Sequence, residues 1–159
     1  MEDLPCHSGF RFYNQHMPDY HFSCPIEVRY GDLDPQGHVN NAIFLTYFEQ
    51  ARVNYLINLG LFMGNQSFLD VGIIIAEAQV TFLAPVFFGM KVRVDVRVNR
   101  LGTKSLGMLY RMVESETGLE LATASTTLVT YDYHKNMTIA IPAQWREKIS
   151  AFEGEALIS

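Results

Sequence analysis

Residues 41–59, with the sequence NAIFLTYFEQARVNYLINL, decide the fold. Their polar side chains recur at i, i+4 spacing and form one narrow stripe: Thr46, Gln50, Asn54 and Asn58, flanked by Glu49 and Arg52. Nearly all the remaining side chains are apolar, which predicts a helix that is covered on most of its sides. Asn40 or Asn41 can cap its start, and Gly60 can end it. At a rise of about 1.5 Å per residue, the helix is roughly 28 Å long.

Strand patterns stand on both sides of this helix. One strand precedes it, from Cys24 through residues 25–30, and four follow it, at residues 76–82, 90–98, 105–114 and 120–133. Residues 90–98 alternate without exception, with Lys91, Arg93, Asp95 and Arg97 predicted outward and four valines inward. A short helix over 142–152 closes the chain. Successive short turns predict an antiparallel meander, so we expect an α+β fold in which about five strands wrap around one long central helix.

Length and composition limit the domain organisation. The 159 residues fit one domain, with 1–22 as an irregular N-terminal arm and 23–159 as a single domain. The composition, 48% hydrophobic and 18% charged, is typical of a globular protein. A net charge of −5 argues against binding to nucleic acid or to an anionic membrane.

Targeting signals and cysteine spacing indicate a cytoplasmic protein. The N-terminus lacks the apolar segment of a signal peptide, and the longest uncharged run, residues 53–69, is too polar to span a bilayer. Cys6 and Cys24 fit no metal-binding spacing, and nothing in the sequence indicates a secreted protein in which they would pair. We therefore expect a reduced thiol environment, no bound metal and no cofactor.

The densest group of reactive side chains lies at residues 30–41, YGDLDPQGHVNN, where the first strand leads into the long helix. A helix start presents unpaired N–H groups that suit a carbonyl oxygen becoming an oxyanion. Asp34 lies seven residues before Asn41 and can fold over that helix end. A carboxylate beside an oxyanion donor suits thioester hydrolysis, either by direct attack or by activation of water, because a thiolate leaves without a strong general acid.

Residues 32–41, DLDPQGHVNN, followed by YFEQAR at 47–52, resemble the hotdog-fold acyl-CoA thioesterases of the 4-hydroxybenzoyl-CoA thioesterase type. The likeness extends from about Ile26 to about Tyr133. It implies the hotdog fold, with Asp34 as nucleophile or general base and Asn41 at the helix start that faces the thioester carbonyl. It also implies that Tyr30 lines the site.

The resemblance implies further contacts and an assembly. His38-Val-Asn-Asn41 is also similar to the plant acyl-ACP thioesterases, in which the histidine is held to be catalytic. Coenzyme A (CoA) in the family tends to lie near the turn between the third and fourth strands, where Arg100, Lys104 and Ser105 could meet its phosphates. The family implies a homodimer with sites at the subunit interface, often paired into a tetramer. Aromatic residues of the helix, Phe48 among them, are expected to line the acyl site.

Each of these residues also has a purely structural interpretation. Asp34 precedes a proline in a turn, His38 can simply hydrogen-bond that turn, and Arg100 and Lys104 can be solvated turn charges. Asp32 fits an orienting role better than a catalytic one. At the level of function, an acyl-ACP thioesterase and a protein that binds acyl-CoA without hydrolysing it remain alternatives to the acyl-CoA thioesterase.

Overall fold

A computed structural model describes residues 19–62, 69, 71–154 and 157, so the expected N-terminal arm up to residue 18, with Cys6, lies outside the described residues. The described residues form six strands, two α-helices and a short 3-10 turn. In chain order they are β1 (Phe22–Ile26), the 3-10 turn (Tyr30–Asp32), α1 (Asn41–Asn58), β2 (Gly72–Phe82), β3 (Val92–Leu101), β4 (Ser105–Glu114), β5 (Glu120–Asp132), β6 (Met137–Thr138) and α2 (Ala143–Glu153).

The six strands form one antiparallel sheet in the order β1-β3-β4-β5-β2, with the short β6 added to β5. The predicted meander is confirmed for β3, β4 and β5. It is wrong for β2, which pairs with β5 and not with its successor β3. The connection over 83–91 crosses the end of the sheet, because β5 and β4 lie between β2 and β3. Within this connection, Val86 is fully buried and its carbonyl accepts a 2.8 Å hydrogen bond from the Val39 amide.

The first strand lies earlier than the sequence predicts. The expected strand over 25–30 is replaced by β1 followed by the 3-10 turn, because the carboxylate of Asp32 accepts a 2.9 Å hydrogen bond from the Arg29 amide and ends the extended chain. Cys24 of β1 is a free, buried thiol that pairs in register with Val94. The shift leaves the strand and helix order intact.

Helix α1 lies across the inner face of the sheet. The residues that α1 buries recur three and four positions apart: Phe44, Tyr47, Phe48, Ala51, Arg52, Tyr55 and Leu56. The predicted helix is confirmed, but the structure leaves part of its surface open, since Leu45 is 49% exposed and Thr46 and Glu49 are exposed. No helix among the described residues is long and apolar enough to cross a lipid bilayer.

The outer face of β3 is more buried than its alternating charges predict. Asp95 and Arg97 point to the outer face, yet they are 4% and 5% exposed. Asp95 is covered because it accepts hydrogen bonds from Arg93, from Arg111 and, at 2.8 Å, from the Ser23 hydroxyl of β1. The alternation of charged residues in β3 therefore predicts which side chains lie on the outer face. It does not predict that these side chains are exposed to solvent.

Candidate active site

The segment between the 3-10 turn and α1 folds into a narrow hairpin. Leu33 and Val39 form an antiparallel bridge, and the Asp34 amide donates a 2.7 Å hydrogen bond to the His38 carbonyl. The chain reverses at Gly37, whose φ of +81° favours glycine. The hairpin holds the two reactive side chains of its tip, Asp34 and His38, beside the start of α1.

The carboxylate of Asp34 is held on one side only. Its Oδ1 accepts hydrogen bonds from the amides of Gln36 at 2.8 Å and His38 at 3.3 Å. Its Oδ2 accepts none from the residues that the structure describes. Asp34 therefore combines a fixed orientation with one oxygen that is available to a substrate or to water.

The start of α1 is capped by Asn40. Its Oδ1 accepts a 2.9 Å hydrogen bond from the Ala42 amide, so Asn40 is the N-cap and Asn41 is the first helical residue. The amide of Asn41 belongs to the first-turn N–H groups that have no partner within the helix. The cap thus leaves the Asn41 amide free to face a ligand.

Asp34, His38 and Asn41 line one cavity of about 310 Å³. The rest of its wall is largely apolar and comes from the hairpin, from α1, from the end of β2 and from the connection after β2: Gln36, Val39, Phe44, Phe82, Leu83, Ala84 and Pro85. The cavity is half open, with the carboxylate and the helix start on its polar wall and Phe44 and Phe82 on its apolar wall.

His38 lies at the rim of this cavity. Its ring packs edge-on against Phe87, with ring centroids 5.0 Å apart and planes at 84°. The backbone of His38 forms a bridge with Phe87 as well. This packing orients the imidazole without giving it a carboxylate partner among the contacts that the structure describes.

The structure places two of the expected site residues elsewhere. Tyr30 is 80% exposed and packs edge-on against Phe88, with centroids 6.2 Å apart, so its side chain does not line the cavity of its own chain. Phe48 is 2% exposed and packs against Tyr110 in the core. The sequence could not show the direction of the Tyr30 side chain, because the direction of a side chain in a turn depends on what packs beside it.

Arg100, Lys104 and Ser105 lie at the opposite end of the sheet from Asp34. The cavity lies at the Phe82 end of β2, which is the Val92 end of β3, and β3 is about 30 Å long. The ammonium of Lys104 lies 3.2 Å from the Thr138 hydroxyl. Within one chain, these residues cannot contact a ligand at Asp34.

Asp32 ties the hairpin to α1. It is 4% exposed and accepts hydrogen bonds from the Arg29 guanidinium at 3.0 Å and from the Tyr47 hydroxyl at 2.7 Å. Burial raises the pKa of Asp32, but the hydrogen bonds from Arg29 and Tyr47 outweigh it, and the pKa lies below its usual value. Burial and the bond to Asp32 raise the pKa of Tyr47.

The sequence predicts an orienting role for Asp32, but it does not reveal the partners Arg29 and Tyr47. The sequence does carry a signal that could have identified Tyr47 as part of the site. Tyr47 is the first residue of the YFEQAR segment, on which the resemblance partly rests. Further along that segment, Arg52 donates a 2.8 Å hydrogen bond to the carboxylate of Glu49. Among the described residues, no group of three or more His, Cys, Asp or Glu side chains could hold a metal ion.

The fold matches that of known thioesterases. A thioesterase of Thermus thermophilus, solved with coenzyme A and Zn, is 33% identical in sequence, with a TM-score of 0.73 over 85% of this chain and 96% of that one. The 1,4-dihydroxy-2-naphthoyl-CoA hydrolase of Thermosynechococcus vestitus is 31% identical over 72% of this chain and 79% of its own.

Further similarity comes from an uncharacterised protein of Bacillus subtilis, YsmA, which is 27% identical over 65% of this chain. The chain spans 61% of the length of that relative. The profile of the thioesterase-like superfamily matches residues 28–149, which is most of the chain and contains the hairpin, α1 and β2 to β5. The chain belongs to the thioesterase-like superfamily and has the hotdog fold of its solved relatives.

Proposed function

We propose that the protein hydrolyses an acyl-CoA thioester to the free acid and CoA. The observation that carries this proposal is the shared cavity, in which the free oxygen of Asp34 and the start of α1 at Asn41 lie together. The superfamily and its named thioesterases support the class of reaction. The solved relative that contains coenzyme A supports the class of substrate.

Direct attack is one route that the geometry allows. Asp34 Oδ2 forms a bond to the carbonyl carbon, and the carbonyl electron pair moves to the oxygen, which accepts a hydrogen bond from the Asn41 amide. Collapse of this intermediate breaks the C–S bond and releases the CoA thiolate. Water then cleaves the acyl-aspartate anhydride, which restores Asp34 and releases the acid.

Activation of water is the other route. Asp34 accepts a proton from a water molecule while the water oxygen attacks the carbonyl carbon. The Asn41 amide again faces the oxyanion, and the proton leaves with the thiolate as the CoA thiol. His38 is close enough to the same cavity to hydrogen-bond that water, which is the role we assign to it.

We also propose that the protein acts as a homodimer joined through β2. This edge strand pairs with β5 on one side and exposes apolar residues, with Ile74 37% and Ile75 45% exposed. Unpaired edge strands of this kind join readily to another strand. The open side of α1 around Leu45 adds to the surface that a second copy would cover.

Antiparallel pairing of two β2 strands completes the site. Because the pairing is antiparallel, the Phe82 end of one strand meets the Gly72 end of the other, and the far end of the partner's sheet comes beside the Asp34 cavity. Arg100 of the partner subunit and Lys104 of the partner subunit then reach the CoA phosphates. Pairing of two such dimers, as the resemblance implies, remains an expectation.

Thiol release from CoA esters tests the proposal. We expect the wild-type protein to hydrolyse at least one member of a panel that runs from acetyl-CoA to palmitoyl-CoA and includes benzoyl-CoA. The same acyl groups carried on acyl carrier protein, and binding of the esters without thiol release, test the two alternatives. Hydrolysis of carrier-bound esters alone, or binding without turnover, would contradict the proposal.

We expect this activity in the cytoplasm, where a free thiol such as Cys24 stays reduced.

A further inference from the structure

Two phenylalanines line the apolar wall of the Asp34 cavity. Phe44 of α1 and Phe82 of β2 pack edge-to-face, with ring centroids 5.1 Å apart and planes at 89°. Phe44 lies three residues after Asn41 and therefore directly below the helix start that faces the carbonyl. An acyl group whose carbonyl lies at Asn41 points at this pair.

The space beyond the pair is already filled. Phe44 is 2% exposed, and one turn further along α1 Phe48 packs against Tyr110, with ring centroids 5.4 Å apart. The Tyr110 hydroxyl lies 3.0 Å from the Thr126 hydroxyl, which holds its ring in place. An acyl chain cannot pass between α1 and the sheet unless Phe44 or Phe82 moves.

The size of the cavity favours a compact acyl group. An apolar protein cavity of about 150 Å³ holds benzene. In proportion to its carbons, a sixteen-carbon chain needs roughly 400 Å³, so part of such a chain must extend out of the half-open cavity of about 310 Å³. The Phe82 ring, which is 46% exposed, also offers an aromatic acyl group the edge-to-face geometry that rings prefer.

We propose that the Phe44–Phe82 pair sets the acyl preference of the enzyme and selects a single aromatic ring or a short chain over a long alkyl chain. This inference rests on the proposed acyl-CoA hydrolysis and deepens it. Phe82 is the adjustable member, because it is 46% exposed whereas Phe44 is part of the core. Removing the Phe82 ring opens the cavity toward β2 and admits a longer chain.

Steady-state kinetics with benzoyl-CoA and palmitoyl-CoA test the proposal, each ester being held below its micelle-forming concentration. For the wild type we expect kcat/KM to be at least tenfold higher with benzoyl-CoA. For Phe82→Ala we expect this ratio to fall at least fivefold, mainly through faster hydrolysis of palmitoyl-CoA. A wild type that prefers palmitoyl-CoA, or an unchanged ratio in Phe82→Ala, would overturn the proposal.

Two further variants keep the test decisive. Phe88→Ala removes an exposed ring from the same connection between β2 and β3, but Phe88 lines a separate groove with Pro25 and Met90, so the ratio stays at the wild-type value. Phe44→Leu keeps an apolar side chain and is expected to lower the ratio as Phe82→Ala does. Gel filtration establishes that each variant keeps the wild-type assembly.

Binding separates failure of this inference from failure of the proposed function. If no CoA ester is hydrolysed, the proposed function fails, and the affinities of the thioethers S-benzyl-CoA and S-hexadecyl-CoA still report on the cavity. We expect Phe82→Ala to raise the affinity for S-hexadecyl-CoA relative to S-benzyl-CoA at least fivefold. An unchanged ratio of affinities, or no binding of either thioether, would overturn the inference itself.

Discussion

Replacing Tyr47 with phenylalanine removes one hydroxyl from the network that ties the Asp34 hairpin to α1. Tyr47 is 1% exposed and donates a 2.7 Å hydrogen bond to Asp32, so the variant deletes this bond without opening a cavity. Asp32 keeps its bonds from Arg29. A hydrogen bond to a charged group contributes about 1.5–3 kcal/mol. We expect the free energy of unfolding to fall by that amount at neutral pH.

The size of this loss depends on pH through Asp32. The pKa of Asp32 is lower in the folded protein than its usual value, so its carboxylate adds stability above the unfolded pKa and loses it as pH falls through the folded pKa. Below that pH, Asp32 is neutral in both states, and the bond from Tyr47 is no longer charge-assisted. The difference between wild type and Tyr47→Phe is therefore full at neutral pH and shrinks in acid.

Guanidinium denaturation at one fixed protein concentration measures both effects. Tyr133→Phe is the matched control, since Tyr133 is 42% exposed and its loss should change stability by less than about 0.5 kcal/mol. A deficit for Tyr47→Phe below about 0.5 kcal/mol at pH 7, or a deficit of equal size in acid, would refute the argument from a buried, charge-assisted bond.

Four further predictions concern the cap, the oxyanion contact, the edge strand and the CoA contacts. Asn40→Ala removes the N-cap and should lower stability by about 1 kcal/mol in denaturation experiments. Asn41→Ala should leave kcat within about threefold, because the backbone amide and not the side chain faces the oxyanion. Ile75→Lys should turn the proposed dimer into a monomer in sedimentation experiments and reduce hydrolysis, because a charge on the edge opposes strand pairing. Replacing Arg100 and Lys104 together with alanine should raise KM for CoA esters and weaken its dependence on salt, with kcat nearly unchanged.

Unchanged stability in Asn40→Ala would contradict its role as the N-cap, and a dimer that persists in Ile75→Lys would contradict pairing through β2. Loss of activity in Asn41→Ala comparable to loss of a catalytic group would move the oxyanion contact to the side chain. Leu119→Lys is the control for Ile75→Lys, because it adds a charge at an exposed position in the turn between β4 and β5, and it should keep the wild-type assembly. If this control also dissociates, dissociation of Ile75→Lys no longer supports pairing through β2. An unchanged KM in the double variant would remove the CoA contacts of the partner subunit from the account.

The sequence predicted the parts of the fold that depend on local pattern. The apolar run after Asn40 defines α1, and the strict alternation over 90–98 defines most of β3. The position of β2 could not be predicted in this way, because it depends on a non-local contact, the antiparallel pairing of β2 with β5. For the same reason, the burial of Asp95 could not be predicted, since its partner Arg111 comes from another strand.

In the candidate site too, the features that depend on local sequence were predicted, and those that depend on contacts between distant residues were not. Asp34, His38 and Asn41 are close in sequence and therefore lie close together in the structure, where they line one cavity. Arg100 and Lys104 lie far from Asp34 in sequence, and only the direction of β3 shows that they lie at the other end of the sheet. The position of the Tyr30 side chain depends on Phe88, which lies on a connection whose course across the sheet end was not predictable.

The role of the Asp34 carboxylate in hydrolysis is measured most directly by thiol release from the best CoA ester. This assay compares Asp34→Asn with Asp19→Asn and the wild type. Asn keeps the shape of the Asp34 side chain but supplies neither a nucleophilic carboxylate nor a general base, while the side chain of Asp19 is 84% exposed and lies outside the cavity. We expect Asp34→Asn to lower kcat at least about a hundredfold with substrate affinity largely kept, and Asp19→Asn to match the wild type. Turnover by Asp34→Asn at the wild-type rate would contradict the account.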